Sequence, residues 1–275
     1  MNRKEDFIAV FDSGVGGISV MRHLKKMLPG ERLLYYGDSV NAPYGVRSCR
    51  EVRDLTLHAA EMLMSFGLKA LVIACNTATS AAINELRDTY PNLIVIGIEP
   101  AIKLAADRFP TGTIGVMATP MTLREQKLTR LLSRYQEEKC TFYKIPAPDL
   151  VELVEAGKGN SPEAEAMLQE LLSPYRNKLN ALVLGCTHYP FASRALRNIL
   201  GPDVVLLDGG EGTARETRRR LQEADLLENG PGQIEIQNSS SDPALIALSR
   251  ELLQTLDTDI SPFRQGDTTE EHQYE

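Results

Sequence analysis

Ala70-Leu-Val-Ile-Ala-Cys75-Asn-Thr77 and, 111 residues later, Ala181-Leu-Val-Leu-Gly-Cys186-Thr-His188 share one pattern. In each, a continuous apolar run ends at a cysteine followed by small polar residues. Unbroken apolar runs of this length suit strands covered on both faces. A weaker echo links Ile8-Ala-Val-Phe-Asp-Ser13 with Ile114-Gly-Val-Met-Ala-Thr119, 106 residues on. Two segments repeating at similar offsets point to two related halves, each with a cysteine at an equivalent strand end.

Further runs of strand length extend this frame: Phe7–Phe11, Arg32–Tyr36, Ala70–Ala74, Leu93–Ile98, Thr113–Ala118, Thr141–Ile145, Ala181–Leu184 and Val204–Leu207. Between them lie helical patterns. Val52, Leu55, Ala59, Met62, Leu63 and Phe66 recur at spacings of three and four, on one helix face. Asp242-Pro243 before Ala-Leu-Ile-Ala-Leu reads as a cap and a helix start. Strand–helix alternation of this kind predicts an α/β fold of two pseudo-symmetric domains with mainly parallel sheets. A short strand is expected at Gln233–Gln237, within the loop Asn229–Asp242. Residues 1–6 and 262–275 are polar and aperiodic, and mobility is expected there.

Composition narrows the function. The 275 residues are 43% apolar and 24% charged, which excludes wholesale disorder. With 37 acidic and 30 basic residues the formal charge is −7, so no nucleic-acid partner is expected. No apolar run approaches the ~18 residues of a membrane span, and the start MNRKEDFIAV has no signal-peptide core. A cytoplasmic location away from membranes is therefore expected, with the four cysteines as thiols.

In open α/β sheets, ligands bind beyond the carboxyl ends of the strands. Four such ends collect small and polar residues: Asp12-Ser-Gly-Val-Gly-Gly17, Gly37-Asp38 through Pro43-Tyr44-Gly45, Cys75-Asn76-Thr77, and Cys186-Thr187-His188-Tyr-Pro190. The glycine loop matches neither a phosphate loop nor a dinucleotide fingerprint. It is either a tight turn or, with Asp12 and Ser13 beside it, part of a site. A lone cysteine at a strand end reads as a small buried hydrophobe. Two equivalent ones, each followed by hydroxyl and amide groups, read as a pair with a task. No C-x-x-C is present, so a metal is not expected. Cys49 and Cys140 lack such neighbours and read as structural, as do His23, His58 and His272. Asp38 reads as structural or supporting.

Two thiols facing one carbon from opposite sides would allow one to remove a proton and the other to deliver one, inverting the centre. Helix N-termini are expected to lower the thiol pKa values. Asn76, Thr77, Thr187 and Ser13 are the expected donors to a substrate carboxylate. A two-domain binder of an anionic metabolite and a Cys75–Cys186 redox switch remain open on these residues alone.

Phe11-Asp-Ser-Gly-Val-Gly-Gly17, Tyr36-Gly-Asp38, Ala42-Pro-Tyr-Gly45, Ala74-Cys-Asn-Thr-Ala-Thr79 and Leu184-Gly-Cys-Thr-His-Tyr-Pro190 closely resemble the glutamate racemases of the aspartate/glutamate racemase superfamily, in the expected order across about residues 7–260. The resemblance implies interconversion of L- and D-glutamate without cofactor, neither pyridoxal phosphate nor metal, supplying D-glutamate for bacterial peptidoglycan. It implies catalysis by Cys75, acting on D-glutamate, and Cys186, acting on L-glutamate, assisted by Asp12 and His188. It implies substrate binding by Asp12-Ser13, Tyr44-Gly45, Asn76-Thr77 and Thr187-His188. It further implies a site in the cleft between domains of residues 1–97 plus 210–262 and 98–209, with 263–275 as a tail, and a homodimer.

Overall fold

The computed structural model describes residues 3–137 and 139–254. Its strands are β1 (Phe7–Asp12), β2 (Arg32–Gly37), β3 (Leu68–Ile73), β4 (Ile94–Gly97), β5 (Thr113–Ala118), β6 (Thr141–Pro146), β7 (Ala181–Leu184), β8 (Val205–Asp208) and β9 (Gln233–Asn238). Each lies where the sequence runs place it, with ends shifted by at most one or two residues. One sheet has the order β4-β3-β1-β2-β9 and the other β6-β5-β7-β8, and the strand pairs are parallel. Read from the other edge, the second sheet is β8-β7-β5-β6, the same topology as β4-β3-β1-β2. The echo in the sequence is thus an echo in the fold, and β9 is the strand without a counterpart.

Alternation along the strands builds the core. Ile8 and Val10 of β1 pack into one apolar cluster, Phe7, Ala9 and Phe11 into another on the opposite face. In the second sheet Leu182 and Leu184 join the first of these clusters, while Ala181 and Val183 face a third. The cluster of Ile8 and Val10 therefore runs continuously between the lobes. It includes Val15 and Ile18 from one and Tyr189 and Phe191 from the other. Such two-sided burial explains why the strands read as unbroken apolar runs.

Helix boundaries follow local chemistry. The helix Cys49–Met64 starts at a capping box, in which Ser48 and Glu51 each satisfy the other's backbone N–H. It ends short of Phe66 because Gly67 takes a φ of +75°. Asp242 accepts the Ala244 N–H at 2.9 Å and opens the helix Pro243–Gln254. After β8 the chain returns to the first lobe. The helix Gly210–Glu223 packs on the helix Ile18–Met27 and against β3 and β4, and β9 then pairs with β2.

The start of the chain, expected to be mobile, is tied to the sheet by one bond within residues 3–6. Buried Lys69 donates from Nζ to the Lys4 carbonyl and holds this segment to β3. The expected tail, 263–275, and residues 255–262 of the expected first domain lie outside the described residues. Among the described residues, no helix is long and apolar enough to cross a membrane.

Candidate active site

The four strand ends singled out above meet in one cleft. It is lined by Ser13, Tyr44, Gly45, Cys75, Asn76 and Thr77 from one lobe and by Cys186, Thr187 and His188 from the other. Asp12, the last residue of β1, is fully buried beside it. Its Oδ1 accepts the Gly14 N–H at 3.1 Å and its Oδ2 accepts the Thr187 hydroxyl, from the opposite lobe, at 3.0 Å. Cys75 caps the helix Asn76–Thr89, where its sulfur accepts the Ala78 N–H at 3.4 Å. The same sulfur is 3.5 Å from the Ser13 hydroxyl. Asn76 and Thr77 occupy the buried first turn, and Asn76 Oδ1 has no hydrogen-bond partner among the described residues.

On the second lobe Cys186 follows β7, and its Sγ is 3.6 Å from His188 Nδ1. His188 Nε2 meets Glu155 Oε1 at 2.6 Å. The same oxygen accepts the Val15 N–H of the glycine loop at 2.8 Å. The loop sits close to the second lobe at its glycines. A Cβ on Gly14 would lie 1.9 Å from Glu155 Oε1, and one on Gly16 would lie 2.4 Å from His188 Nδ1. The Ser19 hydroxyl adds a bond to the Thr187 carbonyl at 2.9 Å.

Several of these contributors were not singled out in the sequence. Glu155 ends the helix Asp149–Glu155, and its partners are remote in the chain, so no local signal marks it. Thr119 and Thr122 lie within 3.2 Å and 3.4 Å of Thr77 Oγ1 across the cleft. Thr119 stands just after β5, at the position echoing Ser13, so the strand-end rule applied there finds it. Tyr44 is buried and donates to Asp38 Oδ2 at 2.7 Å, which gives Asp38 the supporting place read for it.

Electrostatics correct one expectation. The pull of its helix N-terminus on the Cys75 thiol is outweighed. Burial pushes the thiol up to about 12, with the Asp12 charge adding to the rise and the Ala78 N–H and Ser13 hydroxyl opposing it. Burial also pushes the Asp12 carboxyl up to about 6, against the pull of His188 and Thr187. Burial works against a charge on His188, but its bonds to Cys186 and Glu155 outweigh it and hold its pKa well above the usual histidine value. The two sulfurs are close enough for the charge of Cys186 to raise Cys75. No Lys or Arg is among the described residues lining the cleft. A carboxylate held there would meet hydroxyl, amide and backbone donors and the His188 imidazole.

The remaining candidates stay apart from the cleft. Cys49 is exposed at the start of its helix, and Cys140 is buried against the Phe109 and Pro110 carbonyls. His58 is exposed on the same helix as Cys49, His23 lies 3.9 Å from Asp208, and His272 is outside the described residues. Among the described residues, no three His, Cys, Asp or Glu side chains gather as a metal site would need.

Residues 8–217 match the family model for Asp/Glu/Hydantoin racemase. The chain is 45% identical to a glutamate racemase of Clostridium botulinum over 258 residues, 93% of this chain and all of that one. Its structure resembles a glutamate racemase isoform of Bacillus anthracis, with a TM-score of 0.80 and 29% identity over 94% of this chain and all of that one. It also resembles the glutamate racemase of Francisella tularensis in complex with D-glutamate, with a TM-score of 0.78 and 27% identity over 95% of this chain and 98% of that one.

Proposed function

The chain belongs to the Asp/Glu/Hydantoin racemase family and is an isomerase that racemises glutamate, and from that premise we propose that it works by proton transfer between Cys75 and Cys186 and supplies D-glutamate for peptidoglycan. The observation that carries the mechanism is the pair of thiols lining one cleft from opposite lobes. With D-glutamate bound, the Cys75 thiolate takes the α-proton as the C–H bond breaks and an S–H bond forms. The electron pair left on the α-carbon delocalises into the substrate carboxylate. The Cys186 thiol then delivers its proton to the opposite face, giving L-glutamate and a Cys186 thiolate. L-glutamate runs the sequence in reverse.

The neighbouring groups take supporting parts. His188, held protonated by Glu155, stabilises the Cys186 thiolate at its Nδ1 side. Asp12 faces the substrate ammonium. With its pKa near 6, it can also shed charge when Cys75 must carry one. Ser13, Asn76, Thr77, Thr187 and the Tyr44-Gly45 turn hold the two carboxylates with neutral donors. Residues 1–97 with 210–262, and 98–209, form the two domains that close on the substrate in this reading. Their separation admits glutamate, in a homodimer within the cytoplasm.

Incubation with L-glutamate in D2O, without added cofactor, tests the reading. Ellipticity is expected to decay while deuterium enters the α-position at the same rate. No inversion and no exchange from folded, reduced protein would overturn it. Faster inversion of L-aspartate would overturn the choice of substrate.

A further inference from the structure

β9 is the strand added to an otherwise repeated topology, and it is added beside β2. The C-terminal end of β2 leads into the segment that carries Tyr44 and Gly45 to the cleft. Tyr44 itself sits in an apolar cluster, but the part of the segment that leads to it has little apolar packing. The turn Ser39–Asn41 buries no residue, and Val40 and Val46 are 63% and 67% exposed. What holds it is a run of polar bonds from the end of β9. The Ser239 N–H donates to the Gly37 carbonyl at 2.9 Å, and the Val40 N–H donates to Ser239 Oγ at 3.0 Å. Asn238 Nδ2 donates to Ser39 Oγ at 2.9 Å, and the Tyr36 side chain also bonds Ser239.

The bonds continue inward. Asn41 Nδ2 reaches both oxygens of Asp38, at 3.1 and 3.0 Å, and Asp38 receives the Tyr44 hydroxyl. Tyr36 and Tyr44 both lie against Phe11, with ring centroids 6.3 Å apart in each case. Gly45 then lies against Thr119 of the opposite lobe, where a Cβ would come within 2.7 Å. A path of bonded groups thus leads from β9 to the wall of the cleft.

We propose that Asn238 and Ser239 are positioning residues, which set the Ser39–Gly45 segment and through it hold Tyr44 and Gly45 against the substrate. The inference rests on the racemase reading and adds residues that touch no part of the cleft. A segment that binds substrate and transition state alike changes KM rather than kcat when it is displaced.

The test is steady-state racemisation by Ser239→Ala, Asn238→Ala and the double variant, with amide hydrogen exchange of residues 40–45. Each single change is expected to raise KM for both enantiomers about fivefold, the effect of one net hydrogen bond, with kcat held within about twofold. Exchange at residues 40–45 should quicken. Ser239→Thr, which keeps the hydroxyl, should restore both readouts. Gln233→Ala removes the bond from Arg32 at the far end of β9 and should leave KM unchanged, which separates positioning from the strand's structural role. KM within twofold of the unmodified protein in the double variant, or an equal rise in Gln233→Ala, would overturn the proposal. The unmodified protein's turnover reports separately on the racemase reading. If it has none, unaltered exchange at residues 40–45 still refutes the bracing, and D-glutamate protection of that segment, lost in the double variant, still supports it.

Discussion

Glu155 and His188 meet at 2.6 Å, and the Glu155 oxygen that makes this contact also accepts the Val15 N–H of the opposite lobe. One carboxylate therefore holds the imidazole charge and fastens the glycine loop. Glu155→Gln keeps much of the shape and removes the charge. His188 then loses one of the two partners that hold its proton against burial, and its pKa falls. The expected result is a kcat reduced about 10- to 100-fold, with the alkaline limb of the kcat–pH profile moved to lower pH. The folding linkage has the same sign. A raised histidine contributes stability that is fully present below the unfolded value of about 6.5 and is lost as pH rises through the folded value. An unshifted profile would remove Glu155 from this role.

Cys75→Ser and Cys186→Ser separate catalysis from binding. A serine hydroxyl is too weak an acid to stand in for a thiol in the proton relay. Each variant should lose racemisation about 10³-fold or more while glutamate still raises its melting temperature. A variant retaining a tenth of the rate would rule out the two-thiol scheme.

Asp12 is placed for function at a cost in stability. Its carboxyl, at about 6, lies above the ordinary value of 3.8 because burial penalises the charge. Between these values the folded chain binds the proton more tightly than the unfolded chain, so this group destabilises increasingly as pH rises to about 6 and by a constant amount above it. Asp12→Asn should therefore stabilise the protein at pH 7.5 by roughly 1–3 kcal/mol, with the gain shrinking towards pH 4, and should depress turnover. Urea unfolding at the two pH values measures the difference. A gain that is independent of pH would contradict this assignment.

Gly16 tests how closely the lobes must approach. A Cβ there would collide with the His188 ring and with Thr187 Oγ1, 2.7 Å away. Neither can retreat without giving up its bond to Glu155 or Asp12. Gly16→Ala is expected to lower kcat/KM about 100-fold or more, since misplacement by an ångström is enough for such losses. Activity close to that of the unmodified chain would show that the lobes work further apart than described.

What the sequence discloses of this arrangement follows from what is local. β1, β3, β5 and β7 are legible because both faces of each are covered, which leaves an unbroken apolar run. Cys75, Asn76 and Thr77 are legible because a strand end fixes their place. Glu155 is hidden because it becomes part of the site only when Val15, 140 residues away, folds onto it. The direction of the Cys75 shift is hidden for a similar reason. The helix N-terminus that favours a thiolate is visible in sequence, whereas the burial that outweighs it comes from both lobes. Asn238 and Ser239 look like ordinary loop residues until β9 is known to lie beside β2.

Lys69 and Glu31 form a fully buried ion pair at 2.5 Å. Lys69 also donates to the Leu226 carbonyl at 3.0 Å and to that of Lys4, while Glu31 accepts the Glu228 N–H at 2.9 Å. The pair joins the start of the chain, β3 and the segment leading to β9. Its place is the end of the first sheet opposite Cys75, which follows β3 at the other end. Lys69→Met leaves a buried carboxylate without its cation and should cost about 3–5 kcal/mol. Lys69→Met combined with Glu31→Leu removes both charges, and most of that loss should return, because burying two ions itself costs several kcal/mol. The kcat of the double variant should stay within about twofold of the unmodified chain, since no group of the cleft is altered. A double-mutant cycle in urea reads the coupling. Additive losses would mean that the two charges do not depend on each other, and a fall in kcat matching the fall in stability would mean that this end of the sheet is not insulated from the site.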